Sequence, residues 1–268
     1  MVVKRRNLVN PGGALSTRCI YGIHPVATWL RAQPAHLRSI HFDTRSGDRV
    51  AALIDMAVKA GVRQEACSDE TLTRMAGTPR HQGIVATAEP FPYVEVERVI
   101  ESPPALLVLA DRIQDPHNLG AILRTAEAVG AGALLIPKDG SVAVTATVEV
   151  AAAGATALIP VCRIVNAARA LQRLKEVGYW TVGLIARSGM DLYRFDAPER
   201  VVVVVGGETG MRPLVAKHCD FAVSIPMRGK VESLNASVAT AVVLYELARR
   251  RSGAAGGAST IVSSTGAV

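Results

Sequence analysis

A run of five valines, residues 201–205, leads directly into the loop 206–210, of sequence Gly-Gly-Glu-Thr-Gly. A β-branched run that ends at glycines is typical of a strand buried on both faces in a parallel sheet. In open α/β sheets, ligands bind in the crevice outside the carboxyl ends of the strands. The stretch therefore predicts a core strand that delivers a glycine-rich loop to a binding edge.

Two other strand-to-loop junctions have the same character. A second apolar run leads into residues 111–120, of sequence Asp-Arg-Ile-Gln-Asp-Pro-His-Asn-Leu-Gly, and then into a helix that we expect to begin near Ala121 and to carry Arg124. A third junction joins residues 224–227 (Ser-Ile-Pro-Met) to residues 233–237 (Ser-Leu-Asn-Ala-Ser), just before a final apolar helix. The carboxyl ends of parallel strands share one edge of the sheet, so these loops are expected to meet there.

The composition narrows the class of protein. A chain of 268 residues that is 49% apolar can form one large domain or two small ones. No apolar run is long enough to span a bilayer and no apolar stretch follows the basic start, so we expect a soluble protein without a secretory signal. Four widely spaced cysteines favour free thiols in a reducing cytoplasm. No histidine lies at ligand spacing from a cysteine or carboxylate, and we expect no metal.

The charge fits an anionic partner. The net charge is +7 and the isoelectric point is near 9.5, a balance seen in nucleic-acid-binding proteins. Residues 1–90 hold 12 Lys and Arg against 7 Asp and Glu, whereas residues 91–268 hold 18 against 16. Residues 249–251, three consecutive arginines, form a second local cluster. The excess lies mainly near the N-terminus and alone gives only modest support for nucleic acid.

The chain divides into two α/β units. Residues 1–17 lack periodicity and predict a flexible basic arm, and the small-residue tail 252–268 is predicted not to pack. Residues 18–90 alternate short helices and strands, and the proline-bounded stretch 91–104 predicts a linker. Residues 105–251 form the larger unit. We expect few contacts to cross the linker, because domain boundaries fall in exposed segments.

Strands and helices alternate in the larger unit, which indicates a mostly parallel sheet. The final helix is predicted over residues 234–250. The predicted strands are 106–110, 133–136, 158–162, 179–185, 201–205 and 221–225, with helices between them.

Together the three junctions resemble the signature motifs of the SpoU/TrmH branch of the SPOUT methyltransferases. The similarity extends to residues 21–26 (Tyr-Gly-Ile-His-Pro-Val) and 81–86 (His-Gln-Gly-Ile-Val-Ala), and it ends in the helix over 233–246, so it covers most of the chain. Within the family, the sequence is most similar to the bacterial enzymes that methylate a guanosine of 23S rRNA.

The resemblance implies methylation of RNA ribose 2'-hydroxyls with S-adenosylmethionine, by a cytoplasmic homodimer whose active site forms at the subunit interface. It implies a C-terminal trefoil knot, which sequence pattern alone would not propose because knots are rare. It also implies an N-terminal domain similar to ribosomal protein L30e that holds the RNA. Two alternatives remain: the same chemistry on a tRNA guanosine, and a non-catalytic RNA-binding or ribosome-assembly protein, favoured only by a shortened loop at 206–210.

The resemblance assigns five side chains to catalysis and three backbone positions to the cofactor. The catalytic side chains are Asn118, Arg124, Glu208, Ser233 and Asn235. The cofactor positions are Gly206, Ile225 and Leu234. Glycine suits such a position because a backbone without Cβ can approach a ligand closely.

Each assignment has a structural alternative. Asn118 and Ser233 both precede predicted helices, and Asn and Ser are good N-caps. Arg124 is either a solvated arginine or a clamp that grips the phosphate next to the target ribose with both arms of its guanidinium. A free neutral arginine base is physically difficult, because guanidinium hardly deprotonates in proteins. Residues 81–83 form either a polar turn or an RNA contact.

The glutamate assignment depends on a loop that departs from the family pattern. The family spacing is Gly-x-Glu-x-x-Gly, and this chain is one residue shorter after Glu208. A gapless alignment from Met211 would place Gly207 where the glutamate belongs. We retain Glu208 as the functional residue, with Gly207 as the alternative.

Overall fold

The computed structural model describes residues 17–254. The predicted N-terminal arm, apart from its last residue, and residues 255–268 of the predicted tail lie outside this part of the chain. Within it, no helix is long and apolar enough to cross a membrane.

The strands form two sheets. A four-stranded mixed sheet has the order β1-β4-β2-β3, and a seven-stranded sheet, parallel at every pairing, has the order β7-β6-β5-β10-β8-β11-β9. The strands are β1 (Arg18–Tyr21), β2 (Leu37–Phe42), β3 (Arg63–Ala66), β4 (Ile84–Ala88), β5 (Leu106–Asp111), β6 (Ala133–Pro137), β7 (Val161–Ile164), β8 (Trp180–Leu184), β9 (Met190–Asp191), β10 (Val201–Gly206) and β11 (Phe221–Ser224). The prediction of a mostly parallel α/β sheet in the larger unit is confirmed.

Helices cover both faces of the large sheet. The helices are α1 (Ile23–Ala32), α2 (Asp48–Lys59), α3 (Asp69–Ala76), α4 (Val96–Ile100), α5 (Pro116–Ala128), α6 (Ala146–Ala151), α7 (Ala167–Glu176), α8 (Pro213–Lys217) and α9 (Ala236–Ala254), with 3₁₀ turns at Pro34–His36 and Ala155–Ala157. We call residues 18–90 the small unit and residues 105–254 the large unit.

The valine run explains the centre of the large sheet. Strand β10 lies between β5 and β8, and all six of its residues are buried. Val201, Val203 and Val205 pack in the core on the side of α5 and α9, whereas Val202 and Val204 pack in the core on the side of α7. Because successive side chains point to opposite faces, an uninterrupted apolar run fills both cores.

Most predicted strands of the large unit agree with the structure to within a residue or so, but one is misplaced and one helix is missing. The strand predicted at 158–162 is β7, which begins only after Pro160; proline lacks a ladder donor, and a 3₁₀ turn occupies Ala155–Ala157. No α-helix lies between β8 and β10, where β9 instead forms the edge of the sheet. The first error therefore follows from Pro160, and the second from an edge strand of only two residues, which is too short to show a pattern.

The predicted arginine cluster at the end of α9 is largely structural. Arg250 donates hydrogen bonds to the carbonyls of Leu192, Tyr193 and Phe195, and Arg249 pairs with Glu246. Arg251 donates to the carbonyls of residues 105 and 199. The helix also continues to residue 254, past the boundary expected at 251. Arg250 and Arg251 therefore hold α9 against neighbouring loops, whereas Arg249 stays exposed and pairs only within the helix.

The loop 81–83 is also structural. His81 is 2% exposed, its Nε2 lies 3.1 Å from the hydroxyl of Thr73, and its Nδ1 accepts from the amide of Gly83. The side-chain oxygen of Gln82 accepts from the amide of Ile23 at 2.8 Å and so caps α1. The buried His81 side chain presents almost no surface to RNA. At the exposed Gln82, the choice between a polar turn and an RNA contact stays a prediction.

The expectation that few contacts cross the linker is wrong. Helix α6 and the 3₁₀ turn after it pack against β1 and α1 of the small unit. Ala157 of the large unit lies in the same apolar core as Val26 and Trp29 of the small unit. The linker itself contains α4, and Val94 forms a parallel bridge with Cys162 of β7. The prolines that bound residues 91–104 therefore mark a packed connection between the small and large units and not a flexible hinge.

Candidate active site

A cavity of about 400 Å³ opens at the carboxyl ends of β8, β10 and β11, three neighbouring strands of the large sheet. Its volume falls in the range of about 300–1,000 Å³ usual for small-molecule sites. The lining residues are Leu184, Ile185, Ala186, Val205, Gly206, Gly207, Glu208, Gly210, Val223, Ile225, Met227, Ser233, Leu234, Asn235, Ala236 and Ala239. The lining is mainly apolar, with three polar side chains at 208, 233 and 235.

All three predicted cofactor positions line this cavity. Gly206 ends β10, Ile225 follows β11, and Leu234 lies just before α9. At Gly206, a Cβ would lie only 2.2 Å from the carbonyl carbon of Gly210 and the amide of Met211. Glycine is therefore required at position 206, because the loop folds back so closely that residues 210 and 211 leave no room for a Cβ. This close packing places backbone groups of the loop at the cavity wall.

Asn118 and Glu208 meet at the edge of the cavity. The Asn118 side-chain nitrogen donates to Oε1 of Glu208 at 3.3 Å. Helix α5 begins at Pro116, five residues earlier than predicted, and its N-cap is Asp115, whose carboxylate accepts from the amide of His117. The capping alternative for Asn118 is therefore wrong, because Asn118 lies inside the first turn, where its side chain is free to reach Glu208.

Arg124 lies elsewhere on the same helix. It follows Asn118 by six residues, which places it about 9 Å along the axis and about 240° around it. Its side chain is exposed, is absent from the cavity lining, and forms no ion pair or hydrogen bond within residues 17–254. If Glu208 is to orient Arg124, it does not do so within one chain, because the two side chains form no hydrogen bond or ion pair among the described residues.

The start of α9 is capped by Asn235, not by Ser233. The side-chain oxygen of Asn235 accepts from the amide of Ser237 at 2.8 Å and from its hydroxyl at 2.6 Å. Ser233 lies two residues earlier, exposed on the cavity wall. The capping role expected of Ser233 thus belongs to Asn235, and the Ser233 hydroxyl remains available at the cavity.

The short loop distinguishes Gly207 from Glu208 by sterics. A Cβ on Gly207 would lie 2.3 Å from the carbonyl oxygen of Arg112, and its amide donates to the carbonyl of Asp111 at 3.0 Å. Position 207 therefore has no room for a side chain. Glu208 is the carboxylate of the loop that reaches both the cavity and Asn118, and this geometry supports the choice of Glu208.

One ion pair that the sequence reasoning did not single out joins two of the loops. Asp111, at the end of β5, is fully buried, and both of its carboxylate oxygens accept hydrogen bonds from Arg212. Arg212 follows the 206–210 loop, so the pair ties that loop to the first junction. The sequence feature that could have indicated this pair is Asp111 itself, because an acidic residue that ends a buried strand requires a partner.

Comparison with known proteins agrees with this geometry. The family model described as "SpoU rRNA Methylase family" matches residues 105–245, which is more than half of the chain. The chain belongs to the SpoU rRNA methylase family. A second model, "RNA 2'-O ribose methyltransferase substrate binding", matches residues 19–94.

Individual relatives extend the comparison. The 23S rRNA (guanosine-2'-O-)-methyltransferase RlmB of Ralstonia nicotianae is 43% identical over 242 residues, covering 88% of this chain and 97% of that protein. The SpoU methyltransferase AviRb of Streptomyces viridochromogenes, solved with AdoMet, has the same fold: TM-score 0.75, 24% identity, 88% of this chain and 91% of that one. A TrmH/SpoU tRNA-modifying enzyme of A. aeolicus matches with TM-score 0.52 and 29% identity, covering 59% of this chain and 83% of that one.

The described residues contain no cluster of three or more His, Cys, Asp or Glu side chains arranged to hold a metal ion. The four cysteines, all within the described range, are free thiols. Burial raises the pKa of Cys162 to about 12 and that of Cys219 to about 11. Since the thiolate is the nucleophile and the metal ligand, these two side chains are suited to packing and not to chemistry.

Removing the Glu208 carboxylate tests its role. We expect Glu208→Ala to slow methyl transfer by about 10- to 100-fold, the value of one charged hydrogen bond. The matched control is Thr209→Ala, the adjacent exposed residue that does not line the cavity. Gly207→Ala is unsuitable as a control, because its Cβ would overlap the Arg112 carbonyl. Single-turnover rates at saturating RNA give the comparison; equal rates for Glu208→Ala and Thr209→Ala would rule the role out.

Proposed function

We propose that this protein transfers a methyl group from S-adenosylmethionine to the ribose 2'-hydroxyl of a guanosine in 23S rRNA. The observation that carries the proposal is the cavity formed by three loops of a SpoU-family fold, in a chain 43% identical over most of its length to a 23S rRNA guanosine-2'-O-methyltransferase.

The cavity suits the proposed cofactor. Leu184, Val223 and Ile225 offer apolar surface to an adenine ring and a methionine chain, and the backbone around Gly206 offers hydrogen-bonding groups at close range. The carboxylate of Glu208 at the cavity edge favours a ligand that carries a positive sulfonium. When bound, S-adenosylmethionine supplies an activated methyl group; the protein must align the 2'-oxygen with that group and help it lose its proton.

Arg124 is the proposed clamp for the target nucleotide. An exposed guanidinium with no ion pair among the described residues is available to a phosphate. Its fork matches two phosphate oxygens, which would hold the adjoining ribose in one orientation and let the phosphate share the proton released by the 2'-hydroxyl. Asn118 and Glu208, hydrogen-bonded to each other, would orient the loop that faces the ribose, together with Ser233 and Asn235.

The absence of Arg124 from the lining of its own cavity supports a homodimer. Helix α9 packs against α5 and leaves Val238 and Tyr245 about half exposed, at 48% and 57%. These two side chains lie seven residues apart, on one face of the helix. We infer that a second copy of the chain covers this face, so that Arg124 of one subunit reaches the cavity of the other. The trefoil knot and a cytoplasmic location belong to the same proposal; the four free thiols support a reducing compartment.

The small unit favours rRNA over tRNA. The solved tRNA-modifying relative covers only 59% of this chain, whereas the rRNA enzyme from Ralstonia nicotianae covers 88%. A substrate-binding unit of the kind matched at residues 19–94 suits the capture of a structured rRNA segment.

Two measurements test the proposal. Calorimetry with S-adenosylmethionine should give one site per chain, and absence of binding would favour the non-catalytic alternative. Mapping of 2'-O-methyl groups in total RNA from a deletion strain, with and without a plasmid copy of the wild-type chain, should show one guanosine of 23S rRNA losing and regaining its methyl group. Loss of a tRNA methyl group instead would overturn the rRNA assignment.

A further inference from the structure

A buried carboxylate of the large unit is hydrogen-bonded mainly by the small unit. Glu149 lies in α6, and its side chain is 1% exposed. Its Oε2 accepts from the indole nitrogen of Trp29 at 3.0 Å and from the hydroxyl of Thr156, and its Oε1 accepts from Arg18. Arg18 and Trp29 lie in β1 and α1 of the small unit, so one carboxylate joins both units through two side chains.

Arg18 is itself fixed on several sides. Its guanidinium carbon lies 4.3 Å from the centre of the Trp29 ring and 5.1 Å from that of Phe91, distances at which a cation is attracted to a ring face. Its Nε donates to the carbonyl of Glu89 at 2.9 Å. Desolvation by burial lowers the pKa of Arg18 and raises that of Glu149, because each charged form is held out of water. The pair therefore has one geometry and little freedom to adopt another.

Close backbone contacts flank the pair. The side-chain amide of Gln33 donates to the carbonyl of Ala157 at 2.8 Å. A Cβ on Gly154 would lie 2.4 Å from the hydroxyl of Thr28, so the backbone at Gly154 packs directly against that side chain. The interface is thus specific in both its polar and its steric contacts, and a rotation of one unit against the other would break them together.

Helix α6 also contacts α5, the helix that carries the proposed catalytic residues. A Cβ on Gly120 of α5 would lie 2.4 Å from the Cβ of Ala151 and 2.9 Å from the carbonyl of Val148, so α5 and α6 are in backbone contact. Asn118 and Arg124 lie on α5, on either side of Gly120. Helix α6 therefore connects the small unit to the proposed catalytic residues through a single layer of contacts.

We propose that Glu149 is a positioning residue that holds the substrate-binding unit at a fixed orientation to α5, so that captured RNA is presented to the methyl donor at one distance and angle. The inference rests on the proposed RNA methyltransferase function. A buried ion pair adds little to stability compared with apolar packing, but it permits only a narrow range of geometries, which is what a rigid connection between two units requires.

The test uses the full-length chain with Glu149→Ala, Arg18→Ala and Glu149→Gln. The amide oxygen of glutamine can still accept from Trp29 and Thr156 but cannot pair with the charge of Arg18, so its effect should be intermediate. The matched control is Arg173→Ala, which removes an exposed ion pair with Glu176 inside α7 that does not cross the interface. We expect the alanine variants to slow single-turnover methylation by about 10- to 100-fold, as for a misplaced substrate. Dissociation constants for S-adenosylmethionine and a 23S rRNA fragment should stay close to those of the wild type.

Small-angle X-ray scattering supplies an independent readout of orientation. The alanine variants should give a broader distance distribution than the wild type and Arg173→Ala. If they bind both ligands and react at the wild-type rate, or lose cofactor binding in proportion to activity, the positioning role is wrong. If the Glu149 variants do not fold, Gln33→Ala tests a partly exposed contact of the same interface. This variant must then slow methylation while leaving the dissociation constants for cofactor and RNA close to those of the wild type. A wild-type chain that methylates no RNA would reject the proposed function, while the scattering comparison would still decide whether Glu149 fixes the orientation.

Discussion

Arg124→Ala is expected to abolish methyl transfer to RNA while leaving the fold and cofactor affinity nearly unchanged. The side chain is exposed, contacts no other described residue through a hydrogen bond or ion pair, and lies outside the cavity lining. Its removal therefore breaks no hydrogen bond or ion pair among residues 17–254. A loss of more than about 100-fold is expected, because a group that aligns the reactants contributes to the rate through orientation.

Lysine should not rescue the Arg124 position, since a point charge cannot reproduce the two-pronged geometry of guanidinium. The matched control is Arg169→Ala, another exposed helix arginine with no ion pair in the described chain. Single-turnover methylation, calorimetry with S-adenosylmethionine and thermal unfolding should be measured on all three variants. Activity of Arg124→Ala within a few-fold of wild type would reject the clamp and, with it, the proposed route for the proton.

Deletion of residues 1–90 should eliminate activity on rRNA. If few contacts crossed the linker, as the sequence predicted, the remaining chain would be an intact soluble dimer; the contacts between the units change that expectation. The deletion removes both Arg18 and Trp29 and uncovers the apolar surface around Ala157. We expect the truncated chain to bind S-adenosylmethionine, unfold at a lower temperature than the full chain, and aggregate more readily.

The truncated chain leaves the Glu149 carboxylate without its partners in the small unit. A truncated chain that also carries Glu149→Gln separates the cost of the unpaired carboxylate from the loss of the RNA-holding unit: it should regain stability but not activity. Thermal unfolding with and without cofactor, and methylation of a 23S rRNA fragment, give the two readouts. If the truncated chain methylates the fragment at the normal rate, residues 18–90 do not hold the substrate.

The sequence predicted the elements that depend on local pattern. The apolar runs at 106–110 and 201–205 gave strands, and their order gave a parallel sheet. The loop after 201–205 lines the cavity, and the loop after 106–110 meets it through the hydrogen bond from Asn118 to Glu208. Those inferences succeed because a strand that is buried on both faces has an apolar side chain at every position, which is visible in the sequence as an uninterrupted apolar run. The pattern also predicted that the loops meet at one edge, whereas their role in RNA methylation depended on the family resemblance.

Long-range polar contacts could not be predicted in this way. Asp111 pairs with Arg212 and Glu149 with Arg18, partners that are 101 and 131 residues apart in the chain. Nothing in the local sequence identifies which of thirty basic residues each carboxylate meets. The same limit explains why Arg250 looked like part of a cationic patch: its carbonyl partners lie 55 to 58 residues away.

The position of β10 between β5 and β8 has a consequence for how the chain is made. Leu106–Asp111 pairs directly with Val201–Gly206, a segment the ribosome reaches only about 5 to 20 s later at typical elongation rates. Until then one side of β5 is an open, apolar strand edge of the kind that recruits other chains. We expect nascent chains arrested shortly before residue 201 to bind chaperones strongly, and release to coincide with the emergence of the valine run.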